Sequence, residues 1–315
     1  MTLKKIKTLK LDPSSFDVCI NFHSLISGFE MSKYKSLPKV FDFCDDIVDW
    51  VSQSAQIPLF FKPAGKYFAR SLLTYNLKRA DHVTYSLDFL KQKFRIKDEK
   101  SSLIPNGVDT ILFYKSSGRL KEIPENSNNH FVLGFVGYLG DWIEFEPVFE
   151  ALKKVKASFN ISLLIVGQGP KLSYYKKMVS QNNLEDRVIF TGNVPYQDVP
   201  RLIESMNVCL LPFDNSSVSQ NALPLKLFEY MICEKPVLSS SFLQGVKQMI
   251  GTHISYYSNV DDLVELITLY HQNPILSEEV GIKGREFVEN NYNWDSICSK
   301  FEKILIHVSN RGNIE

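Results

Sequence analysis

The stretch Ala222-Leu-Pro-Leu-Lys-Leu-Phe-Glu-Tyr-Met-Ile-Cys-Glu-Lys-Pro-Val-Leu-Ser-Ser240 constrains the fold more than any other part of the chain. Leu223, Leu225, Leu227, Phe228 and Met231 recur at helical spacing, and Lys235-Pro236 breaks the pattern because proline disfavours helix for the residue before it. Val237-Leu238-Ser239-Ser240 then reads as a short buried strand. A helix feeding such a strand is a unit of an α/β sheet. Lys226 and Glu229 stand three apart on that helix, hence on one face, and offer a cation and a carboxylate together. Taken alone, the pair is also what a solvated helix face shows, worth roughly a few tenths of a kcal/mol.

The same alternation extends in both directions. Before residue 110, Phe16–Phe22, Val40–Cys44 and Ala80–Ser86 read as strands. Asp45 and Asp46 follow the second of these and precede a helix-like Ile47–Trp50. Carboxylates beyond a parallel strand lie where open α/β sheets place ligands, so both are acid/base candidates. The alternative is that Asp45 caps the helix and Asp46 serves as a first-turn acid.

Ile57–Arg79 mixes Phe60, Phe61, Tyr67 and Phe68 with Lys62, Lys66 and Arg70. Such a helix either lies at a membrane interface or packs an apolar stripe on the core and solvates its charges. Ile104-Pro-Asn-Gly-Val-Asp109 is a tight turn, and Lys115–His130, without periodicity, reads as a linker.

Phe131–Asp141 opens a second series of strands, and Gly137 and Gly140 let the backbone approach a ligand ahead of a helix expected over Ile143–Lys156. Strands are further expected at 161–166, 188–192, 208–213 and 253–257. Ser216, Ser217, Ser219 and Asn221 in the polar loop before the central helix either donate to ligand oxygens or are solvated. The last helix, expected from Asp295 to Val308, carries Ile297, Phe301, Ile304 and Leu305 on one stripe.

Composition excludes several classes. The 315 residues carry a net charge of +1, with 44% hydrophobic and 23% charged residues, so nothing global points to nucleic acid. No run reaches the ~18 apolar residues of a membrane span, and the first residues lack a signal-peptide core. A cytoplasmic protein is therefore expected. Five cysteines without CxxC spacing and six scattered histidines indicate neither a disulfide framework nor a metal site.

Taken together, PLKLFEYM…KPVLSS, the IPNGVD turn, Ala80–Ser86 and the LLIVGQGP segment ending at Pro170 resemble GT-B glycosyltransferases of family 4 (group 1). The resemblance implies an α/β GT-B fold of two Rossmann-like domains with parallel sheets. Residues 1–118 would form an acceptor-side domain that is truncated, with about four strands against about six in the second domain. Residues 119–130 would be the linker, 131–293 the nucleotide-sugar domain, and 294–315 a helix crossing back.

It also implies a hexosyltransferase-like enzyme moving a sugar from a nucleotide-diphosphate sugar to an acceptor hydroxyl, in cell-surface polysaccharide or glycolipid synthesis. No cofactor or metal is expected in such enzymes. By resemblance, Glu229 holds the ribose hydroxyls, Lys226 the diphosphate, and the backbone at Val194–Tyr196 reads the base. Gly137, Tyr138, Val194, Tyr196, Asn221, Leu225, Lys226 and Glu229 form the donor side, and Asp45 or Asp46 the acid/base or acceptor-orienting group. Asn221 replaces a glutamate that usually faces the sugar. The cationic clamp usual near Gly137 is missing, which leaves more of the diphosphate charge to Lys226.

The implied partners are the nucleotide sugar and a saccharide or lipid-linked acceptor. Contact with the inner face of the cell membrane, a second copy and a complementing subunit stay open. The rival reading is a non-catalytic or partner-dependent subunit that keeps the nucleotide-sugar fold. Base, sugar, acceptor and stereochemistry are not readable from these residues.

Overall fold

The computed structural model describes residues 12, 15–53, 57–113, 130–155 and 158–312; the basic lead-in and all of the expected linker except His130 lie outside them. The chain divides into two compact units, Met1–Asn106 with Asp295–Glu315, and Gly107–Trp294. The first unit thus ends at Asn106 and not near 118. The Val108 amide donates to the Tyr292 carbonyl at 2.9 Å and the Trp294 amide to the Val108 carbonyl at 3.2 Å, which ties the end of the turn into the second unit.

In the first unit β1 (Cys19–Phe22), β2 (Lys39–Phe43), β3 (His82–Tyr85) and β4 (Ser101–Leu103) pair in parallel in that order. The helices are α1 (Leu25–Met31), α2 (Ile47–Gln53), α3 (Lys62–Arg79) and α4 (Asp88–Phe94). Val40, Phe43, Val83, Leu73 and Leu90 are buried, so short apolar strands and the inner faces of α3 and α4 share one core. Pairing begins at Cys19, later than the expected Phe16, because the Cys19 amide is the first to find a partner, Pro38 O at 2.8 Å, and Phe16 stays half exposed.

In the second unit β5 (Phe131–Val136), β6 (Ile161–Val166), β7 (Val188–Gly192), β8 (Val208–Leu211), β9 (Val237–Ser240) and β10 (Ser255–Tyr257) form a parallel sheet in the order β10-β9-β8-β5-β6-β7. Between them run α5 (Glu146–Val155), α6 (Leu172–Gln181), α7 (Val199–Glu204), α8 (Ser217–Gln220), α9 (Leu225–Ile232) and α10 (Gln244–Ile250). Two more helices follow, α11 (Val260–Gln272) and α12 (Pro274–Asn291). Every residue of β5 and β6 is buried, as a parallel sheet covered on both faces demands. The chain winds outward from β5 to β7 and returns to β8 on the other side of β5. The strand order therefore reverses between β5 and β8, the place where such sheets bind ligands beyond their strand ends.

The helix expected from Ile143 starts only at Glu146. Ile143 bridges to Phe213 and the Glu144 amide donates to the Pro212 carbonyl at 2.7 Å, so this segment is pinned to the end of β8 before the helix begins. The last helix, α13 (Trp294–Gly312), belongs to the first unit from Asp295 onward. Ile297 and Val308 are buried on its inner stripe, Lys300 Nζ donates to the Leu103 carbonyl at 2.8 Å, and the Phe301 ring lies 6.3 Å from that of Phe22.

Candidate active site

The helix α9 begins after Pro224 and buries Leu227, Phe228, Tyr230, Met231 and Ile232, which fixes its rotation. Tyr230 fixes its position. Its hydroxyl accepts from the Val136 amide at 2.7 Å and donates to the Val136 carbonyl at 3.3 Å, which fastens α9 to the last residue of β5.

Lys226 is thereby carried to the strand-order reversal. Its ammonium sits 4.0 Å from the Phe135 ring centroid and 5.8 Å from that of Phe213, and it forms no ion pair with any described residue. A Cβ on Gly137 would come 2.4 Å from Lys226 Nζ, and Gly137 has φ +140°, a backbone only glycine adopts freely. The glycine is needed to admit the lysine. Gly140 serves differently, since a Cβ there would meet the Trp142 ring at 2.8 Å. Loss of hydration pulls the Lys226 amine down to about 7, against the opposing pull of Glu229.

Glu229 is 8% exposed. One of its oxygens accepts from the Tyr196 hydroxyl at 2.8 Å, and the other has no hydrogen-bond partner among the described residues. Burial raises the carboxyl above its ordinary range, opposed by the Tyr196 bond and by Lys226. Tyr196 opens a 3₁₀ turn beyond the end of β7, and its ring meets Phe113 edge-on at 5.7 Å.

Gly137 thus lies against Lys226 and Tyr196 bonds Glu229, with Lys226 and Glu229 one turn apart on α9. Val194 is half-buried in the segment leading to Tyr196, Leu225 is 48% exposed at the start of α9, and Tyr138 is exposed with its ring 6.0 Å from Trp142. Asn221 is half-buried, its amide donating to the Ser217 carbonyl at 2.9 Å. Two of the loop serines bond within the loop: Ser216 donates to Asp214 Oδ1 at 2.7 Å and Ser219 donates to the same oxygen. Asp214, which sequence reasoning passed over, organises this loop. The signal was an aspartate followed by closely spaced serines after a strand.

In the first unit Asp46 caps α2. Its Oδ1 accepts from the Asp49 amide at 3.0 Å, and its other oxygen pairs with Lys93, which also reaches Asp49 at 2.6 Å. Both oxygens of Asp46 are therefore engaged within the first unit. Asp45 is exposed, and its backbone carbonyl accepts from the Ile47 amide at 2.9 Å.

Beside it stands His23, which the sequence reading did not single out. It follows β1 with φ +53°, a left-handed conformation that few residues other than glycine adopt. Its Nδ1 accepts from the Cys44 amide at 3.2 Å, which leaves the proton of the neutral ring on Nε2. Burial lowers the His23 pKa, while Asp45, then Asp42 and Asp46, oppose that shift. Asp42 is held by Thr84 at 2.5 Å and by the Cys44 thiol at 3.0 Å. The ends of β1 and β2 thus present a neutral imidazole and an exposed carboxylate together. Among the described residues no group of three or more His, Cys, Asp or Glu is placed to hold a metal ion.

A family model described as "Glycosyl transferases group 1" matches residues 117–287, more than half of the chain. The chain belongs to the group 1 glycosyltransferases. Among relatives of this group 1 member, an uncharacterized glycosyltransferase of Methanocaldococcus jannaschii is 24% identical over 74% of the chain and 60% of its own length. The putative teichuronic acid biosynthesis glycosyltransferase TuaH of Bacillus subtilis is 28% identical over 61% of the chain and 48% of its own length. The group 1 chain therefore spans about half the length of the curated relatives it matches. The solved structure of Anabaena HepE in complex with UDP superposes with a TM-score of 0.71 at 16% identity, covering 91% of this chain and 78% of HepE. That likeness establishes the GT-B fold.

Proposed function

We propose that the chain transfers a sugar from a UDP-sugar to an acceptor hydroxyl in the synthesis of a cell-surface polysaccharide or glycolipid. One observation carries the reading: an ammonium without an anionic partner rests on Phe135 one helical turn from a buried carboxylate with an unused oxygen. A nucleoside diphosphate complements both. The diphosphate restores the charge of Lys226, and the ribose diol donates to Glu229, whose other oxygen Tyr196 holds in place. As the sugar leaves, charge accumulates on the diphosphate, and Lys226 stabilises it in a site that has already shed water.

The UDP in HepE supports the choice of base, and the teichuronic acid role named for TuaH supports the choice of product. On the acceptor side, Asp45 takes the hydroxyl proton or orients the hydroxyl, and the Nε2–H of His23 donates to an acceptor oxygen. The exposed Leu59, Phe60, Phe61, Tyr67 and Phe68 around the start of α3 support contact with a membrane carrying the acceptor. No helix among the described residues is long and apolar enough to cross one.

Incubation with a panel of nucleotide sugars, without acceptor, tests the reading. Slow hydrolysis of a UDP-sugar that stops in Lys226→Met is expected. Absence of turnover, with or without acceptor extracts, would leave a binding subunit, and an isomeric nucleotide sugar would mean an epimerase.

A further inference from the structure

Between α3 and the end of α4 the first unit encloses a cavity of about 530 Å³ lined by Arg70, Lys78, Lys93, Arg95, Lys97 and Lys100. No carboxylate lines it; Thr74, Leu77, Phe94 and Ile96 complete the wall. Three of the cations are accounted for. Lys93 is neutralised by Asp46 and Asp49, Lys97 lies 3.5 Å from Glu99, and Lys100 donates to the Leu77 and Ala80 carbonyls at 2.9 and 3.2 Å. Arg70, Lys78 and Arg95 form no ion pair with any described residue. Helix dipoles favour Lys78 in the last turn of α3 and Arg95 just beyond α4. They do not explain Arg70, which lies two turns further in, nor why the cations of two helices converge on one cavity.

Gathering like charges around a cavity with polar and apolar walls costs stability unless an anion is taken up there. The cavity shares Lys93 with Asp46, the neighbour of Asp45, but holds none of the residues assigned to the acceptor or the nucleotide. Lys78 and Lys100 precede β3 and β4, whereas His23 and Asp45 follow β1 and β2, and every residue assigned to the nucleotide belongs to the second unit. We propose that this cavity is a second anion site, distinct from the nucleotide site, that takes a phosphate or diphosphate group through Arg70, Lys78 and Arg95. Two guanidinium forks and an ammonium suit phosphate oxygens, and the group can be a lipid headgroup or a soluble phosphate ester.

The test compares wild type with the combined Arg70→Gln, Lys78→Gln, Arg95→Gln variant and with the charge-keeping Arg70→Lys, Arg95→Lys variant. Pyrophosphate is titrated with UDP in excess, and co-sedimentation uses vesicles of phosphatidylcholine with and without phosphatidylglycerol. The glutamine variant should lose about tenfold or more in binding to at least one probe, wild-type binding should weaken with salt, and the lysine variant should retain most of it. Loss confined to vesicles assigns the site to a headgroup, and loss confined to pyrophosphate to a soluble ester. UDP affinity should be unchanged in both variants, the glutamine variant should unfold no earlier than wild type without anion, and the comparison stands whether or not UDP binds. Wild type binding neither probe, or a glutamine variant binding both equally well, would overturn the proposal.

Discussion

Lys226 is a cation held where cations are unwelcome, and this makes its occupancy pH-dependent. With its amine brought down to about 7 by desolvation, the free protein loses that charge as pH rises through neutrality. UDP needs the charge. Between about pH 7.5 and 9, where the diphosphate is largely ionised, UDP affinity is expected to fall by up to about tenfold per pH unit. Calorimetry on Lys226→Arg should remove that slope, because a guanidinium keeps its proton. A wild-type affinity flat over this range would mean that the ammonium stays hydrated.

At this scale the sequence revealed Lys226 and Glu229 through their spacing and wording. It did not reveal Tyr196 as the partner of Glu229, 33 residues away, because β7 and α9 meet only in the folded sheet. Nor did it show that Gly137 makes room for Lys226. His23 was hidden for the same kind of reason: its backbone angle and its bond to the Cys44 amide exist only once β1 and β2 pair.

Elements explain why Asp45 and Asp46, neighbours in sequence, separate in role. Asp46 sits one residue before α2, so its carboxylate closes the helix and meets Lys93. Asp46→Ala should cost about 1–2 kcal/mol of stability in denaturant unfolding, with UDP affinity unaltered. Asp45→Asn should leave stability alone and lower transfer turnover by about 10²–10⁴-fold if it moves the proton. The reverse pattern would exchange the two roles.

Most strands were legible because runs such as Phe131–Val136 carry no polar side chain and end at a glycine. Helix starts were less so, and the start of α5 moved because Ile143 and Glu144 pair with the end of β8, a contact that no local pattern encodes. For α3 the packed stripe is seen in Leu73, which is fully buried, while Tyr67 and Phe68 are 77% and 61% exposed. Replacing Phe60 and Phe68 by serine should release the protein from anionic vesicles without a change in UDP affinity, and unchanged vesicle binding would place the membrane contact elsewhere.

Over the whole molecule, a four-stranded and a six-stranded parallel sheet were legible from the count of apolar runs, and the Ile104–Asp109 turn marked the passage between units. The exact division was not, since it depends on Val108 bonding to Tyr292 and Trp294, residues far along the chain. The account's central claim is that the second unit holds a nucleoside diphosphate between Lys226 and Glu229. Titration calorimetry of UDP, UMP and uridine into wild type, Glu229→Ala and Lys226→Met tests it most directly. Glu229→Ala should weaken every ligand by roughly 1–3 kcal/mol, and Lys226→Met should weaken UDP well beyond UMP and leave uridine nearly untouched. Equal affinities of all three proteins for UDP, with their folds intact, would contradict the claim.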